Sequence, residues 1–300
     1  MWVNRFSIDS KSISCKLNMN INVIKKRLLH YTWELAYGDY DEQIVRQGLL
    51  GAKIHLIKNP YKKKWLADPF ILVDNSSELN LLVEEFDMDV NRGRIAHLVI
   101  DKKTDEIKNC IIILDLPTHL SFPAIYRVGT EVYVNPENSR SGKSFIYRYD
   151  RTAEMLVDPI CICEEPIADA IIVRNENCYE MYATREPMPN GNILVRYKSD
   201  DLTGPYKEYS QLYYKSNVAR MAGAFLKMGS SLVRVAQDCN GAYGRAVFFM
   251  DGEHMISELR PRGYKFAGIH TFNTLDNTFV IDLKKYDYSL LYYLKTIGKR

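Results

Sequence analysis

The stretch WLADPFILVDNSSELNLLVEEFD, residues 65–87, contains two apolar runs, 70–73 and 79–83, on either side of the polar segment DNSSE. Short runs of this kind around a turn predict an antiparallel hairpin. Folding that hairpin returns Glu84 and Glu85 to the end where Asp68 stands beside Pro69. Carboxylates gathered in this way repel one another, which an ordinary surface avoids and general acid–base chemistry requires.

The pattern recurs. It reads SFPAIYRVGTEVYVNPENS from Ser121, ADAIIVRNENCYEMYATRE from Ala168, MAGAFLKMGSSLVRVAQDC from Met221 and AGIHTFNTLDNTFVIDL from Ala267. With Asp68, Pro123, Asp169, Ala222 and His270 as equivalent points, the spacing is 46 to 55 residues, the interval of propeller blades. The segments GRIAHLVID, SFIYRYD, NILVRYKSD and GRAVFFMDG follow the first four hairpins and supply a third strand to each blade. The 21 Tyr and 11 Phe, interleaved with Gly, Asn and Asp turns, favour an all-β chain. The fifth copy is short, and YTWELAYGDYD at 31–41 has no local partner. This N-terminal strand is therefore expected to complete the last blade and remove an open sheet edge. The expected architecture is an all-β five-bladed propeller, a catalytic domain over residues 31–300. A short N-terminal extension, residues 1–30, precedes it, and 22–31 (NVIKKRLLHY) reads as helical.

Forty basic against 37 acidic residues give no general attraction to nucleic acid. The basic runs NPYKKKW at 59–65 and KTIGKR at 295–300 read as solvated surface, compatible at most with peripheral membrane contact. The six cysteines lack zinc-site spacing, and DMD at 87–89 reads as a polar turn, so no metal or other cofactor is expected. SRSGKS at 139–144 reads as a turn, because the first glycine of a phosphate loop would fall at Glu137. With no signal-like start and no apolar stretch of about 18 residues, the expected compartment is the cytoplasm, with free thiols.

If all hairpins point the same way around an axis, one face of the disc collects the unusual polar residues. The first blade brings Asp68, Glu84 and Glu85, the second His119 and Glu137, and the third Asp169 and Arg185. The fourth brings Arg220, Gln237 and Asp238, and the fifth His270. The opposite turns, DNSSE, RVGTE, RNENC and KMGSS, are plain hydrophilic connections. Any one of the aspartates alone would read as a turn or cap residue. Arg185 and Arg220 suit either structural ion pairs or a clamp on phosphate or a sugar carboxylate, and Gln237 with Asp238 suits paired sugar hydroxyls.

The blocks WLADPF, EEFD with GRI, HLSFPAIY, NPENSRSG, ADAIIV, LTGPY, ARMAGAF, RVAQDCNGAYGRAV and GIHTFN, in this order over about residues 31–285, carry a resemblance. The sequence resembles the domain at the N-terminus of plant glucosamine inositolphosphorylceramide transferases, also found in bacterial proteins of surface-polysaccharide clusters. That domain is similar in turn to the five-bladed propellers of family-43 glycoside hydrolases, which use an Asp base, a supporting Asp and a Glu acid. The resemblance implies that Asp68 is base or nucleophile, Asp169 the supporting acid and Glu137 the proton donor, with Glu84 or Glu85 as alternative donors. The implied activity is glycosyl transfer in building a cell-surface glycan. Its expected partners are a sugar substrate, a nucleotide-sugar donor and a glycan or lipid-linked acceptor, with no nucleic acid. The alternatives are a glycoside hydrolase or phosphorylase, or a catalytically silent sugar-binding propeller.

Overall fold

The computed structural model describes residues 30–261 and 265–287. The expected extension and its helix at 22–31 lie outside the described residues, except that His30 and Tyr31 open a strand. Residues 33–284 form one compact unit. The second unit, residues 1–32 with 285–300, contributes only strand ends to the described residues.

The described chain begins with β1 (His30–Asp39), passes through α1 (Gln43–Gln47) and adds β2 (Ile54–Leu56). Four consecutive antiparallel sheets follow. Blade one is β3 (Lys64–Asp74), β4 (Glu78–Asp87), β5 (Arg92–Asp101) and β6 (Glu106–Leu114). Blade two is β7 (Ser121–Val128), β8 (Glu131–Glu137), β9 (Ser144–Asp150) and β10 (Met155–Cys163). Blade three is β11 (Ile167–Arg174), β12 (Tyr179–Arg185), β13 (Ile193–Ser199) and β14 (Lys207–Tyr213). Blade four is β15 (Leu226–Met228), β16 (Ser231–Asp238), β17 (Ala246–Asp251) and β18 (His254–Leu259). Finally β19 (Phe272–Leu275) and β20 (Thr278–Asp287) join the N-terminal strands in the order β19-β20-β1-β2. The fold is a five-bladed propeller, and the last blade is closed by the strand containing WELAY.

Each blade has four strands where the sequence suggested three. The outermost strand of blade three, β14 (KEYSQLY), is largely exposed, so little apolar patterning marks it. Inner strands are apolar on both faces because each blade is sandwiched between two others. In β1, Leu35 packs with Leu66, Leu79 and Leu81 of blade one, while its neighbour Ala36 packs with Val235, Val247 and Phe249 of blade four. The closure strand thus joins two inter-blade cores.

The first strands share a kink. Register shifts separate Ala67 from Phe70, Ser121 from Ala124, and Ala168 from Ile171, and Asp68, Phe122 and Asp169 within them have φ of 49°, 45° and 49°. Such bulges re-aim the side chains they carry. The position in blade two equivalent to Asp68 is therefore Phe122, one residue before the Pro123 taken from the sequence. Aspartate tolerates this left-handed conformation because its short side chain can bond locally, while a phenylalanine there is strained. Phe122 is held by full burial, by an edge-to-face contact with Phe70 at 5.0 Å, and by its N–H, which donates to Asp68 Oδ2 at 3.1 Å.

Because Leu35 serves two blades, Leu35→Ala should lower the unfolding free energy by about 2–5 kcal/mol in urea titration. Leu232→Ala, on an exposed side chain, should stay within about 0.5 kcal/mol. Equal effects would mean that closure by β1 contributes nothing special.

Candidate active site

The kinked first strands direct carboxylates toward the axis, and their partners on the second strands add more. By register, Glu84 faces Ala67, Glu137 faces Ser121 and Thr184 faces Ala168, three equivalent positions of which two are acidic. Asp68, Glu84 and Asp169 are all at least 96% buried.

Asp68 Oδ1 accepts from the Thr271 hydroxyl at 2.7 Å, and His270 Nε2 lies 3.6 Å from the same oxygen. His270 Nδ1 lies 2.6 Å from Asp282 Oδ2. Asp282 also accepts the backbone N–H groups of Asp68, His270 and Thr271, each at 3.0 Å. Burial works against its charge, but His270 and these donors prevail and hold its pKa below the usual 3.8. Burial alone would depress His270, yet Asp282 and Asp68 raise it. The indole of Trp33 stacks on its ring at 3.8 Å. For Asp68, burial dominates over the pull of His270, and Asp282 and Asp169 add repulsion, so its pKa rises to about 6.

Glu84 has the opposite environment. His119 Nε2 stands 3.4 Å from Glu84 Oε1, but this oxygen is buried without a hydrogen-bond partner. Burial first, then Asp68, Glu137, Asp282 and Asp169, raise its pKa well above the usual range. His119 Nδ1 accepts the Gly93 N–H at 2.9 Å, which leaves the proton of the neutral ring on Nε2. Burial, helped by Arg140 and Arg220, lowers the His119 pKa to about 4. Gly93 makes this arrangement possible, since a Cβ there would lie 2.6 Å from Glu84 Oε1 and 2.3 Å from the Leu120 carbonyl oxygen. Glu137 takes the Ser121 hydroxyl at 3.1 Å and the Ser139 N–H at 2.9 Å, and burial raises its pKa.

Asp169 is fixed by three donors: Arg220 Nε at 2.6 Å, an Arg220 terminal nitrogen at 3.1 Å, and Gln237 Nε2 at 2.8 Å. The other terminal nitrogen of Arg220 donates to Asn190 at 2.8 Å. The guanidinium is thus engaged by the protein, where the sequence offered it as a clamp for phosphate. Tyr243 covers this pair, its ring 5.4 Å from the Arg220 guanidinium carbon and edge-on to His270 at 5.2 Å. Lys284 anchors that loop by donating to the Tyr243 carbonyl at 2.6 Å.

The structure brings Asp68, Glu84, His119, Glu137, Asp169, Arg220, Gln237 and His270 together. Three other residues named from the sequence go elsewhere. Strand alternation turns Glu85 to the face opposite Glu84, where Lys64 at 2.5 Å and Arg94 at 2.8 Å neutralise it. The same alternation separates Asp238 from Gln237, and Asp238 accepts from Asn240 with Arg245 3.3 Å away. Arg185 is paired with Glu165 and Glu208, each at 2.8 Å, away from the carboxylate ring. Thr271, next to His270 at the same phase of the repeat, belongs with the polar face, whereas Asp282 and Tyr243 carry only a weak signal: an acid inside an apolar strand, VIDL, and a tyrosine between Gly241 and Gly244.

Asp68, His270 and Asp282 offer ligand atoms within 4.8 Å of one another, a spacing that could hold a metal ion. The donors already on Asp282 make the cluster a hydrogen-bonded relay as it stands. The DMD carboxylates are occupied too, Asp87 by Arg94 at 2.9 Å and Asp89 by Lys63 at 2.9 Å.

The profile described as glucosamine inositolphosphorylceramide transferase 1, N-terminal, matches residues 52–266. A protein named glucosamine inositolphosphorylceramide transferase 1 from Oryza sativa subsp. indica is 30% identical over 209 residues, 66% of this chain and 27% of the relative. The protein of that name from Arabidopsis thaliana is 29% identical over 191 residues, 61% of this chain and 25% of its own length. The chain thus spans about a quarter of the length of these relatives. A thermostable family-43 glycoside hydrolase superposes with a TM-score of 0.49 at 13% identity, over 70% of this chain and 84% of the hydrolase.

Asp282→Asn removes the charge that four donors converge on and should cost about 3–5 kcal/mol at neutral pH. Because the folded pKa of Asp282 is depressed, its contribution is present above its unfolded value of 3.8 and lost as pH falls through the folded one. The stability gap between wild type and variant, read by urea titration, should therefore narrow in acid; a gap constant with pH would contradict an ionised Asp282.

Proposed function

Given that this chain belongs to the family of the glucosamine inositolphosphorylceramide transferase 1 N-terminal domain, we propose that it is a carbohydrate-active enzyme transferring a glycosyl group by acid–base catalysis. One observation carries this reading: Glu84, buried and with an unpartnered oxygen, faces a ring of other carboxylates. A carboxyl group so placed holds its proton to higher pH than an exposed one and can give it to the oxygen of a departing group. Asp68, ionised above about pH 6, takes the proton of the incoming hydroxyl or attacks the anomeric carbon itself. Asp169, immobilised by Arg220 and Gln237, orients sugar hydroxyls. Glu137, between Ser121 and Ser139, is the second candidate donor.

The acceptor under this proposal is a hydroxyl of a glycan or lipid-linked glycan, as in assembly of a surface polysaccharide or glycolipid, and free thiols at Cys110, Cys161, Cys163, Cys178 and Cys239 support a cytoplasmic setting. The same machinery with water as acceptor is a glycoside hydrolase. The commitment of Arg220 to Asp169 and Asn190 favours an uncharged glycoside over a nucleotide sugar as donor.

Incubation with plain glycosides and with nucleotide sugars, each with and without acceptor glycans, and measurement of released sugar or nucleotide, tests the reading. Asp68→Asn and Glu84→Gln should each lower turnover by about 10²-fold or more while the thermal midpoint is kept. Turnover should rise as pH passes about 6, where Asp68 loses its proton. No turnover on any donor, or variants as active as wild type, would sink the proposal.

A further inference from the structure

We propose that the half-buried pair Trp65 and Phe86 is a stacking site for a sugar ring one unit away from the reacting bond, so that the enzyme takes an extended glycan. This rests on the carbohydrate reading above. The two residues are directly opposed across β3 and β4, with rings parallel within 2° and centroids 4.5 Å apart. Phe86 lies two residues from Glu84 on one strand, so both side chains share a face about 7 Å apart along it, the scale of a single sugar ring. His119 joins them, 6.2 Å from the Phe86 ring and 3.4 Å from Glu84. Gly93, the cross-strand partner of Phe86, has no side chain, which lets His119 and the Leu120 carbonyl pack over it beside Phe86. Glu84, His119, Phe86 and Trp65 therefore follow one another from the proton donor outward.

The architecture does not require an aromatic pair here. Continuing the register beyond Ser121–Glu137 places His119 opposite Ser139 in blade two, and continuing it beyond Ala168–Thr184 places Pro166 opposite Glu186 in blade three. Core aromatic pairs such as Phe70–Phe122, Phe249–Phe272 and the stacked Phe272–Phe279 are enclosed, whereas Trp65 and Phe86 are half-buried. Flat apolar faces with a polar imidazole, His119, beside them match a sugar, which has apolar C–H faces and a hydroxyl edge.

The test is native electrophoresis in gels cast with laminarin, galactan, arabinoxylan or dextran. At least one polysaccharide should retard the wild type and Trp65→Phe. Trp65→Ala and Phe86→Leu should lose the retardation at least five-fold while keeping their circular dichroism and their turnover on single-sugar aryl glycosides. Phe86→Leu preserves apolar volume and carries the test if Trp65→Ala fails to fold. Retardation that survives both variants, or a wild type retarded by none of the four polymers, overturns the stacking site. Asp68→Asn should still be retarded, so loss of the catalytic reading alone would show as binding without turnover.

Discussion

The ionised carboxylate of Asp282 is the constraint on which the rest of the site depends. Burying a charge is costly unless converging donors compensate it, and here three backbone N–H groups and an imidazole do so. Two of the N–H groups belong to blade five and one to blade one, so a single side chain ties the closing blade to the opening one. It also sets the charge of its neighbours. His270 is favoured as a cation, Asp68 titrates between that cation and two further acids, and the repulsion passes on to Glu84. Differences in environment, more than in residue type, separate the roles of these carboxyl groups.

The kinked first strands explain why such a costly cluster persists. A regular strand would alternate its side chains between neighbouring blades, whereas the bulge at Asp68 and Asp169 turns a side chain out of that alternation. Phe122 occupies the same conformation without a polar side chain, and its strained backbone is used through its N–H, which anchors Asp68. Strain of this kind persists where surrounding contacts over-determine it.

Much of the architecture was legible in the chain. Hairpin text repeated at blade spacing identified the propeller, and the unpaired WELAY segment identified how it closes, because an open edge has a physical cost. The outer strands were not legible, since exposed strands carry mixed residues. Eight of the named site residues converge because they stand at one phase of the repeat. Glu85 and Asp238 do not, because each adjoins a site residue and strand alternation sends neighbours to opposite faces. Pro123 was misaligned by one position because the residue at the bulge of blade two is a phenylalanine, which has no polar signature. Asp282 escaped notice because an acid within VIDL resembles a sporadic polar position in a core strand; its function is fixed by partners far away in sequence.

The bond between the Asp68 backbone and Asp282 spans 214 residues. Blades one to four can form local hairpins as the chain emerges, but the bond from the Asp68 N–H to Asp282 cannot exist until β20 has been made and has met β3. A chain interrupted before that strand holds Asp68, Glu84 and Asp169 without the group that organises them. A contact between residues this far apart forms late, because the entropy of closing the loop is lost before the contact is gained. The carboxylate cluster is therefore complete only in the last step of assembly, when the two ends of the chain meet.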